Sequence, residues 1–488
     1  MTLLMQMVRA RHIKRIVLWT VGGLVILLVG LWVAMLALLH ATESHWLGGA
    51  PFHESIDVRS RRPHEITLID DGAASLAERL RVIRNARQSL ELEFFIYELD
   101  TASRIVTQAL AEQARAGVKV RILVDMALPI FRLRPAFARE LASAGIEVRY
   151  YNSASLVRFF AVHHRTHRKL LIADAETAIL GGRNIADDYF DMSHRYNFLD
   201  TDIEVSGPVV KAIRESFELY WTSTWAIEPK DLPKEEVDTA TDALAATILN
   251  PGDAERKTLE LVSRINTDEL PRSTCPDVHF VTDYPGSGVN HRRVFPAITA
   301  TLQEARNEVL VESPYFVIRK DGADVIRQLT GRGVKLRILT NSLRSTDAWY
   351  TVSPLVPALN GLAMPNFELL AWRGEPLAGY GQWPNRSERW GVHAKRAVID
   401  DNISLIGTYN IDPRSANFNS ELMLVCRGDP ALAAAVRSDW LRRASQADHL
   451  IEGNESHGVS ALVRNADGKS VMLTILGIPL SRMFDFLL

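Results

Sequence analysis

Two hydrophobic patterns alternate along most of the chain. Short runs rich in β-branched and aromatic residues, such as "VKVRILV" (118–124) and "IEVRYY" (146–151), are typical of strands. Between them, "IVTQALAEQARAG" (105–117) carries apolar residues at helical spacing. Because strands and helices alternate in this way, the pattern predicts an α/β fold.

The alternation occurs twice. "ARQSLELEFFIYELD" (86–100) matches "ARNEVLVESPYFVIRKD" (305–321), and "GVKVRILVD" (117–125) matches "GVKLRILTN" (333–341). Each half runs helix, strand, helix, strand in the same order, as expected for an internal repeat. We therefore predict two α/β domains.

The remaining segments are assigned relative to these domains, which we place at residues 64–226 and 276–445. A polar, charged linker joins them over 227–275, and "AWRGEPLAGYGQWPNRSERWG" (371–391) predicts a long surface loop near the site. That loop is either a lid or lipid contact, or a solvated loop with no role. The tail, 446–488, ends in an apolar stretch interrupted by Pro and charges; it either lies on a membrane interface or packs on the domain.

An apolar segment lies near the N-terminus. Residues 16–39 carry no charged side chain, and as a helix they would be about 36 Å long, enough to cross a bilayer. Basic residues cluster in 1–15, whereas the first Lys or Arg after the segment is Arg59. We therefore predict an uncleaved transmembrane anchor, a cytoplasmic segment over 1–15, a linker over 40–63, and the rest of the chain outside.

Composition excludes little. Hydrophobic residues make up 47% and charged residues 23%, which is ordinary for a globular protein. The 56 basic and 58 acidic residues give no basic excess, which counts against a nucleic-acid partner. The two cysteines lack zinc-site spacing, and no metal is expected. Cys426 is either a buried hydrophobe or, in an exported protein, bridged to Cys275.

One constellation stands out from the repeat. "HRKLLIADAETAILGGRN" (167–184) and "HAKRAVIDDNISLIGTYN" (393–410) place His, Lys, Asp, Gly and Asn at identical spacing. Residues two apart on a strand face the same side, so each His shares a face with the Lys that follows it. The aspartates of the motif have the opposite parity, and we expect them to close the turn at the end of the strand.

Further polar residues accompany each motif. The asparagines can donate their amides to an oxygen, so His, Lys and Asn together suit an anionic phosphoryl group. Asp200 and Glu421 each lie seven residues before a glycine, in "FLDTDIEVSGP" and "NSELMLVCRG". A carboxylate bonded to one ring nitrogen of a histidine fixes its tautomer and leaves the other nitrogen as a nucleophile. We therefore predict that these two acids orient the histidines.

Several neighbouring residues have weaker claims to the site. For the pair of histidines before the first motif, a surface or supporting role is favoured over catalysis. Two aspartates near the motif resemble site acids by location only, and two aromatic residues either line the site or belong to the core. These residues are His163, His164, Asp187, Asp202, Tyr315 and Phe316.

Both motifs fit the HxKxxxxDxxxxxxGxxN signature of the phospholipase D superfamily. Within residues 64–445, "GGRNIADDYF", "FLDTDIEVSGPVV", "ILTNSL" and "IGTYNIDPRSANFNSE" are most similar to bacterial cardiolipin synthases. The first half has Gly-Gly-Arg-Asn where the second has Gly-Thr-Tyr-Asn, which leaves the fixed positions of the signature untouched.

The resemblance implies two mixed sheets flanked by helices, related by a pseudo-twofold axis, that build one active site without metal or cofactor. One His, by analogy His167, forms a phosphohistidine, and the other, His393, protonates the leaving alcohol. The implied catalytic residues are His167, Lys169, Asp174, His393, Lys395 and Asp400. Those implied to hold phosphoryl oxygens are Lys169, Asn184, Lys395 and Asn410.

The implied function is a phosphatidyltransferase of the bacterial inner membrane, with its catalytic part on the periplasmic side. It makes cardiolipin from two phospholipids, with phosphatidylglycerol as the natural donor and acceptor. One alternative is a hydrolytic phospholipase D that releases phosphatidic acid, since water exclusion alone separates transfer from hydrolysis. Others are a nuclease or other phosphodiesterase of the superfamily, or a non-catalytic membrane scaffold. The oligomeric state stays open.

Overall fold

The computed structural model describes residues 15, 18–34, 57–127, 133–153, 163–232, 248–250, 252–286, 291–377, 383 and 387–484. Residues 18–34 form a helix (α1) with exposed apolar side chains, Trp19 among them. The predicted anchor over 16–39 and the segments 1–15 and 40–63 that flank it lie partly outside the described residues. Within the described residues, none of the helices combines the length and the apolar character needed to cross a membrane.

The helices of the main body are mostly short and cover the sheets. Five of the α-helices given below begin after a residue whose side chain caps the helix or have proline at their first position, as expected for helix starts. The α-helices are α2 Gly72–Asn85, α3 Thr101–Arg115, α4 Pro135–Ser143, α5 Val209–Trp221, α6 Asp253–Val262, α7 Val294–Leu302, α8 Lys320–Gly331, α9 Val352–Leu362, α10 Pro413–Asn417, α11 Pro430–Ala444, α12 Val459–Leu462 and α13 Gly468–Phe484.

The strands are short, and those of the central sheet positions are buried on both faces. They are β1 Val58–Ser60, β2 His64–Ile69, β3 Ser89–Phe94, β4 Lys119–Asp125, β5 Ile146–Tyr151, β6 Leu170–Ala173, β7 Thr177–Gly181, β8 Asn197–Leu199, β9 Asp202–Ser206, β10 Ala226–Ile227, β11 Arg272–Cys275, β12 Asp277–Thr282, β13 Glu308–Glu312, β14 Lys335–Asn341, β15 Phe367–Trp372, β16 Trp390–Val392, β17 Arg396–Ile399, β18 Ile403–Gly407, β19 Leu422–Arg427, β20 Ala447–Glu452 and β21 Glu455–Ser456.

Two mixed sheets follow the same plan. One has the order β10-β5-β4-β3-β6-β7-β9-β2-β11, and the other β1-β12-β19-β18-β17-β13-β14-β15-β20-β21. In each, three parallel strands (β3-β4-β5 or β13-β14-β15) adjoin antiparallel strands that include the motif strand, β6 or β17. The predicted α/β fold, with mixed sheets flanked by helices and repeated twice, is confirmed.

The two halves share one core. Helices α5 and α11 contribute Phe217 and Trp440 to a hydrophobic cluster. The cluster also contains Leu180 on β7 and Ile406 on β18, which belong to opposite halves. The outer faces of the two sheets have separate clusters, covered by α2 and α3 in the first half and by α7, α8 and α9 in the second. The halves are therefore joined through their inner faces.

The halves also exchange edge strands. β1, which precedes the first half, pairs with β12 of the second sheet, and β11, which precedes the second half, pairs with β2 of the first. Cys275 at the end of β11 forms a disulfide with Cys426 on β19, with 6.0 Å between the Cα atoms. Of the two readings that the sequence left open, the structure has the bridge.

The tail and the long loop both contact the body. Helix α13 packs on α9, where the Ser353 hydroxyl donates to the carbonyl of Thr474 at 3.1 Å, so the tail packs on the domain. The predicted loop over 371–391 buries Trp383, whose indole N–H donates to the carbonyl of Phe190 at 2.7 Å. Loop residues 378–382 and 384–386 lie outside the described residues, as does part of the predicted linker.

Candidate active site

Pairing between the halves brings the two motifs together. The backbone N–H of His167 donates to the carbonyl of Ser420 at 2.9 Å, and that of His393 donates to the carbonyl of Leu199 at 2.7 Å. Ahead of His393, β16 runs parallel to β8 of the first half. Each histidine is thus held by the backbone carbonyl of the residue that precedes an acidic residue of the opposite half.

That acidic residue is the carboxylate partner of the histidine. Nδ1 of His167 lies 3.0 Å from both carboxylate oxygens of Glu421, and Nδ1 of His393 lies 2.5 Å from Oδ2 of Asp200. Both predicted orienting acids therefore contact a histidine, and each contacts the histidine of the other half. With Nδ1 occupied, Nε2 of each ring is the nitrogen left for chemistry.

The two motif lysines are buried beside their histidines. Nζ of Lys169 donates to the carbonyl of His167 at 2.6 Å, and Nζ of Lys395 lies 2.9 Å from Nδ1 of His393. Burial lowers the pKa of Lys169 to about 7, against the opposing effect of Glu421, and that of Lys395 to about 8, against Asp200. The site therefore concentrates cationic groups in a desolvated pocket, where an anion is stabilised strongly.

Electrostatics links the two motifs into one site. Burial, followed by the charges of both Lys169 and Lys395, lowers the pKa of His167 well below its usual value. Burial, Lys395 and Lys169 lower the pKa of His393 to about 3, against the raising effect of Asp200. Each histidine thus responds to the lysines of both halves, and these shifts favour neutral rings at pH 7 before an anionic substrate binds.

The two acids have different surroundings. Burial raises the pKa of Asp200, but His393, Lys395 and Arg183 outweigh this effect and hold it below the usual value. Burial raises the pKa of Glu421 to about 7, against the lowering effects of Lys169 and of two hydroxyl donors. Asp200 is therefore ionised at neutral pH, whereas Glu421 is partly protonated.

Equivalent positions in the two motifs, Gly182 and Thr408, account for part of this difference. At Gly182, an added Cβ would lie 2.1 Å from Oδ1 of Asp200, so only glycine lets that carboxylate approach. The second half has Thr408 there, whose hydroxyl donates to Glu421 at 2.6 Å, and Ser415 adds a second donor at 2.8 Å. The difference between Gly-Gly-Arg-Asn and Gly-Thr-Tyr-Asn thus sets how each acid is held.

The motif asparagines and glycines have different roles. Oδ1 of Asn184 accepts from the backbone N–H of Ile96 at 3.0 Å, which orients its amide nitrogen as a donor. Asn410 is buried, and its side-chain oxygen has no hydrogen-bond partner within the described part of the chain. An added Cβ on Gly181 or Gly407 would lie 2.3 Å from atoms of the neighbouring strand, so these glycines serve strand packing.

The motif aspartates are not brought to the histidines. Asp174 follows the end of β6, whereas His167 precedes its start, and its carboxylate accepts the backbone N–H groups of residues 87–89 at 2.7–2.9 Å. Asp400 does the same with residues 306–308 at 2.8–3.0 Å. Both aspartates therefore lie in the turn that follows the motif strand, as strand parity predicted, and their carboxylates hold the backbone at the start of β3 and β13, whereas the resemblance placed them with the catalytic residues.

Aromatic side chains that the sequence reasoning missed surround the histidines. The ring of Phe95 meets that of His167 edge-on, with centroids 5.2 Å apart, and Tyr189 and Phe198 lie 5.1 and 4.6 Å from His393. Phe95 follows a strand end, and Phe198 lies two residues before Asp200. Their closeness to the predicted acids and strand ends was the available signal.

The weaker candidates mostly support the backbone. Nδ1 of His164 lies 3.2 Å from the carbonyl of Phe418, and Asp187 accepts the backbone N–H of Ala102. Other contacts are similar: Asp202 pairs with Arg79 and Arg183, the ring of His163 lies 5.9 Å from that of Phe418, Phe316 is buried in the outer core, and the Tyr315 hydroxyl donates to Asp347 at 3.0 Å. Among the described residues, no group of His, Cys, Asp and Glu could hold a metal ion.

Two carboxylate-backed imidazoles with two lysines at one site are the arrangement that the signature of the phospholipase D superfamily implies. A family model described as cardiolipin synthase, PLD-like domain matches residues 80–221 and 298–442, which include both motifs. The chain belongs to this family, which confirms the resemblance seen in the motifs.

Relatives extend over most of the chain. An uncharacterized protein of Helicobacter pylori is 30% identical over 411 residues, covering 79% of this chain and 80% of that protein. Cardiolipin synthase C of Escherichia coli is 27% identical over 384 residues, covering 73% and 80%. The crystal structure of phosphatidylserine synthase from Haemophilus influenzae covers 87% of this chain and 95% of that one, with a TM-score of 0.62 and 15% identity, a likeness of fold.

Proposed function

We propose that the protein is a membrane-anchored phosphatidyltransferase that makes cardiolipin from two phospholipids through a phosphohistidine intermediate. The observation that carries this proposal is the crossed support of the two histidines, each backed by the carboxylate of the other half. One site with two competent imidazoles and two lysines provides both a nucleophile and an acid for a single phosphodiester.

The first step uses the difference between the two acids. Burial and the charges of both lysines favour a neutral His167 ring, and with its Nδ1–H donated to Glu421 the lone pair lies on Nε2, which attacks phosphorus. His393 faces the ionised Asp200, which stabilises an imidazolium, and the charge of the bound phosphodiester supports the same protonation. The bond from phosphorus to the headgroup oxygen breaks, and that oxygen takes the proton from Nε2 of His393 and leaves as glycerol.

The second step reverses the proton transfer. A headgroup hydroxyl of a second phosphatidylglycerol gives its proton to His393, and its oxygen bonds to phosphorus. The bond between phosphorus and Nε2 of His167 breaks, which releases cardiolipin. Throughout, Lys169 and Lys395 stabilise the phosphoryl oxygens, and the amide of Asn184 is oriented to assist.

The proposal includes anchoring of residues 16–39 in the bacterial inner membrane, with the body on the periplasmic side. The disulfide between Cys275 and Cys426 supports this placement, because structural disulfides persist in oxidising compartments. Substrate in the same bilayer would then reach the site without leaving the lipid phase.

Hydrolysis is the alternative, in which water instead of an alcohol opens the phosphohistidine. The buried histidines, 7% and 4% exposed, and the aromatic rings around them favour transfer, because they limit the entry of water.

The test is a product analysis. Purified full-length protein is incubated in vesicles of phosphatidylglycerol and phosphatidylethanolamine without added metal, and the lipids are resolved by mass spectrometry, with His393→Ala as the blank. Cardiolipin together with free glycerol is expected. Phosphatidic acid alone would mean hydrolysis, and the absence of any lipid product would overturn the proposal.

A further inference from the structure

An apolar cavity lies in the outer layer of the second half. It is enclosed between the second sheet and helices α7 and α8, and water-sized molecules can occupy about 110 Å³ of it. Its walls include Ile298 and Ile326 from the helices and Leu405 from β18, and the catalytic Lys395 lies at its boundary. The cavity therefore joins an apolar interior to the charged site.

At four positions of the cavity wall the first half has larger side chains, although at others, such as Val120 against Leu336, the second half has the larger one. Aligning the repeats through their shared segments pairs four cavity residues with bulkier residues that are all buried in the outer core of the first half. The pairs, first half before second, are Leu92 and Val311, Phe94 and Ser313, Val106 and Gly322, and Leu171 and Ala397.

The four smaller side chains of the second half all border the same cavity. A void in a core costs stability, since the residues around it lose contacts, and protein interiors are otherwise close-packed. The first half demonstrates that this fold accepts the larger residues at all four positions. These four smaller side chains border a cavity next to Lys395, one of the two lysines of the site.

We infer that this cavity binds one acyl chain of the phospholipid whose phosphodiester lies at Lys395. The inference rests on the proposed function. A phospholipid carries its anionic phosphate one glycerol unit away from its apolar chains, which matches an ammonium group at the edge of an apolar cavity. A cavity needs roughly 10–15 Å³ to hold one water-sized molecule, so about 110 Å³ leaves room for a chain segment of several methylene groups.

The test refills the cavity with the residues of the first half. Ala397→Leu and Gly322→Val narrow it; an added Cβ on Gly322 meets only the tip of Ile318, at 3.1 Å. Gln328→Leu, on the exposed side of α8, is the matched control. For each variant, kcat/KM is measured on dioleoyl and dibutyryl phosphatidylglycerol in the same detergent micelles.

The ratio of dioleoyl to dibutyryl kcat/KM should fall at least tenfold in the two cavity variants and stay unchanged in the control. An equal loss on both lipids, or no loss, overturns the inference. A second measurement uses the unaltered protein and phosphatidylglycerol with a photoreactive diazirine on one acyl chain. Cross-links should map to α7 and α8, and cross-links confined to other elements overturn the inference. If the unaltered protein consumes no lipid, the proposed function fails, and cross-linking alone decides whether the cavity binds the chain.

Discussion

The two halves place the same reactive groups in unlike surroundings. In the first, Gly182 lets Asp200 reach His393 of the second half, and that acid is held ionised by its cationic neighbours. In the second, Thr408 donates a hydroxyl to Glu421, which supports His167 and is partly protonated at neutral pH. Both halves therefore retain the reactive His and Lys residues, but the carboxylates that support the two histidines have different surroundings. The two imidazoles can for this reason take different roles.

The largest effect should separate the two histidines. Because His167 is the proposed nucleophile, His167→Ala should lose turnover by about a thousandfold or more and form no covalent enzyme intermediate. His393→Ala should lose a similar factor on phosphatidylglycerol, since a poor leaving group needs an acid. With a diester whose leaving group is p-nitrophenol, His393→Ala should still accumulate phosphoenzyme, detectable by intact-protein mass spectrometry. Phosphoenzyme in His167→Ala would reverse the assignment.

A smaller effect should distinguish the acids. Asp200→Asn removes a charge that the ionised carboxylate supplies to His393, so we expect a loss of about a hundredfold or more in kcat. Glu421→Gln resembles the protonated form already present, so the loss should be about tenfold or less. Both are measured by steady-state turnover of phosphatidylglycerol, with circular dichroism to verify folding. Equal losses would mean that the two acids act alike.

The lysines should give a pH dependence of moderate size. Each carries its charge below its pKa, which is about 7 for Lys169 and about 8 for Lys395, and loses it as the pH rises. Binding of an anionic substrate should therefore weaken above pH 7 in two steps, with kcat/KM falling about tenfold per unit between pH 7 and 8 and approaching a hundredfold per unit beyond pH 8. A profile of kcat/KM from pH 6 to 9.5 tests this, and a value that is flat or rising over that range contradicts it.

The smallest effect concerns the exchanged strands, of which only β11 is covalently tied. Cys275→Ala/Cys426→Ala should lower the free energy of unfolding by about 2–4 kcal/mol, measured by urea denaturation, with turnover at 25 °C unchanged. In hydrogen exchange, the amides of β11 should lose protection toward the level of β1, which is held at its edge by the exposed ion pair of Arg59 and Asp277. A loss of turnover at 25 °C in the folded double variant would contradict this and mean that the bridge supports the active site.

Local pattern was enough to predict the repeat, the motif strands and the residues that meet at the site. Strand parity placed His167 with Lys169 and moved Asp174 to a turn, because these relations depend on a few neighbouring residues. The crossing of Asp200 and Glu421 to the opposite histidines depends on how the halves pack, which no local spacing encodes. The same holds for the cavity, since the size of Ala397 has meaning only beside Ser313 and Gly322.

The exchange of β1 and β11 bears on how the chain is completed during synthesis. Val58 pairs with Phe280, and Thr67 with Arg272, so each sheet needs an edge strand from a segment far along the chain. Domains usually fold one after another as they emerge, N-terminal first. Here the first sheet has an unpaired edge at β2 until residues 272–275 have been synthesised. A ribosome stalled before that point should hold an unfinished, aggregation-prone half, and both exchanged pairings require β11 and β12, residues 272–282.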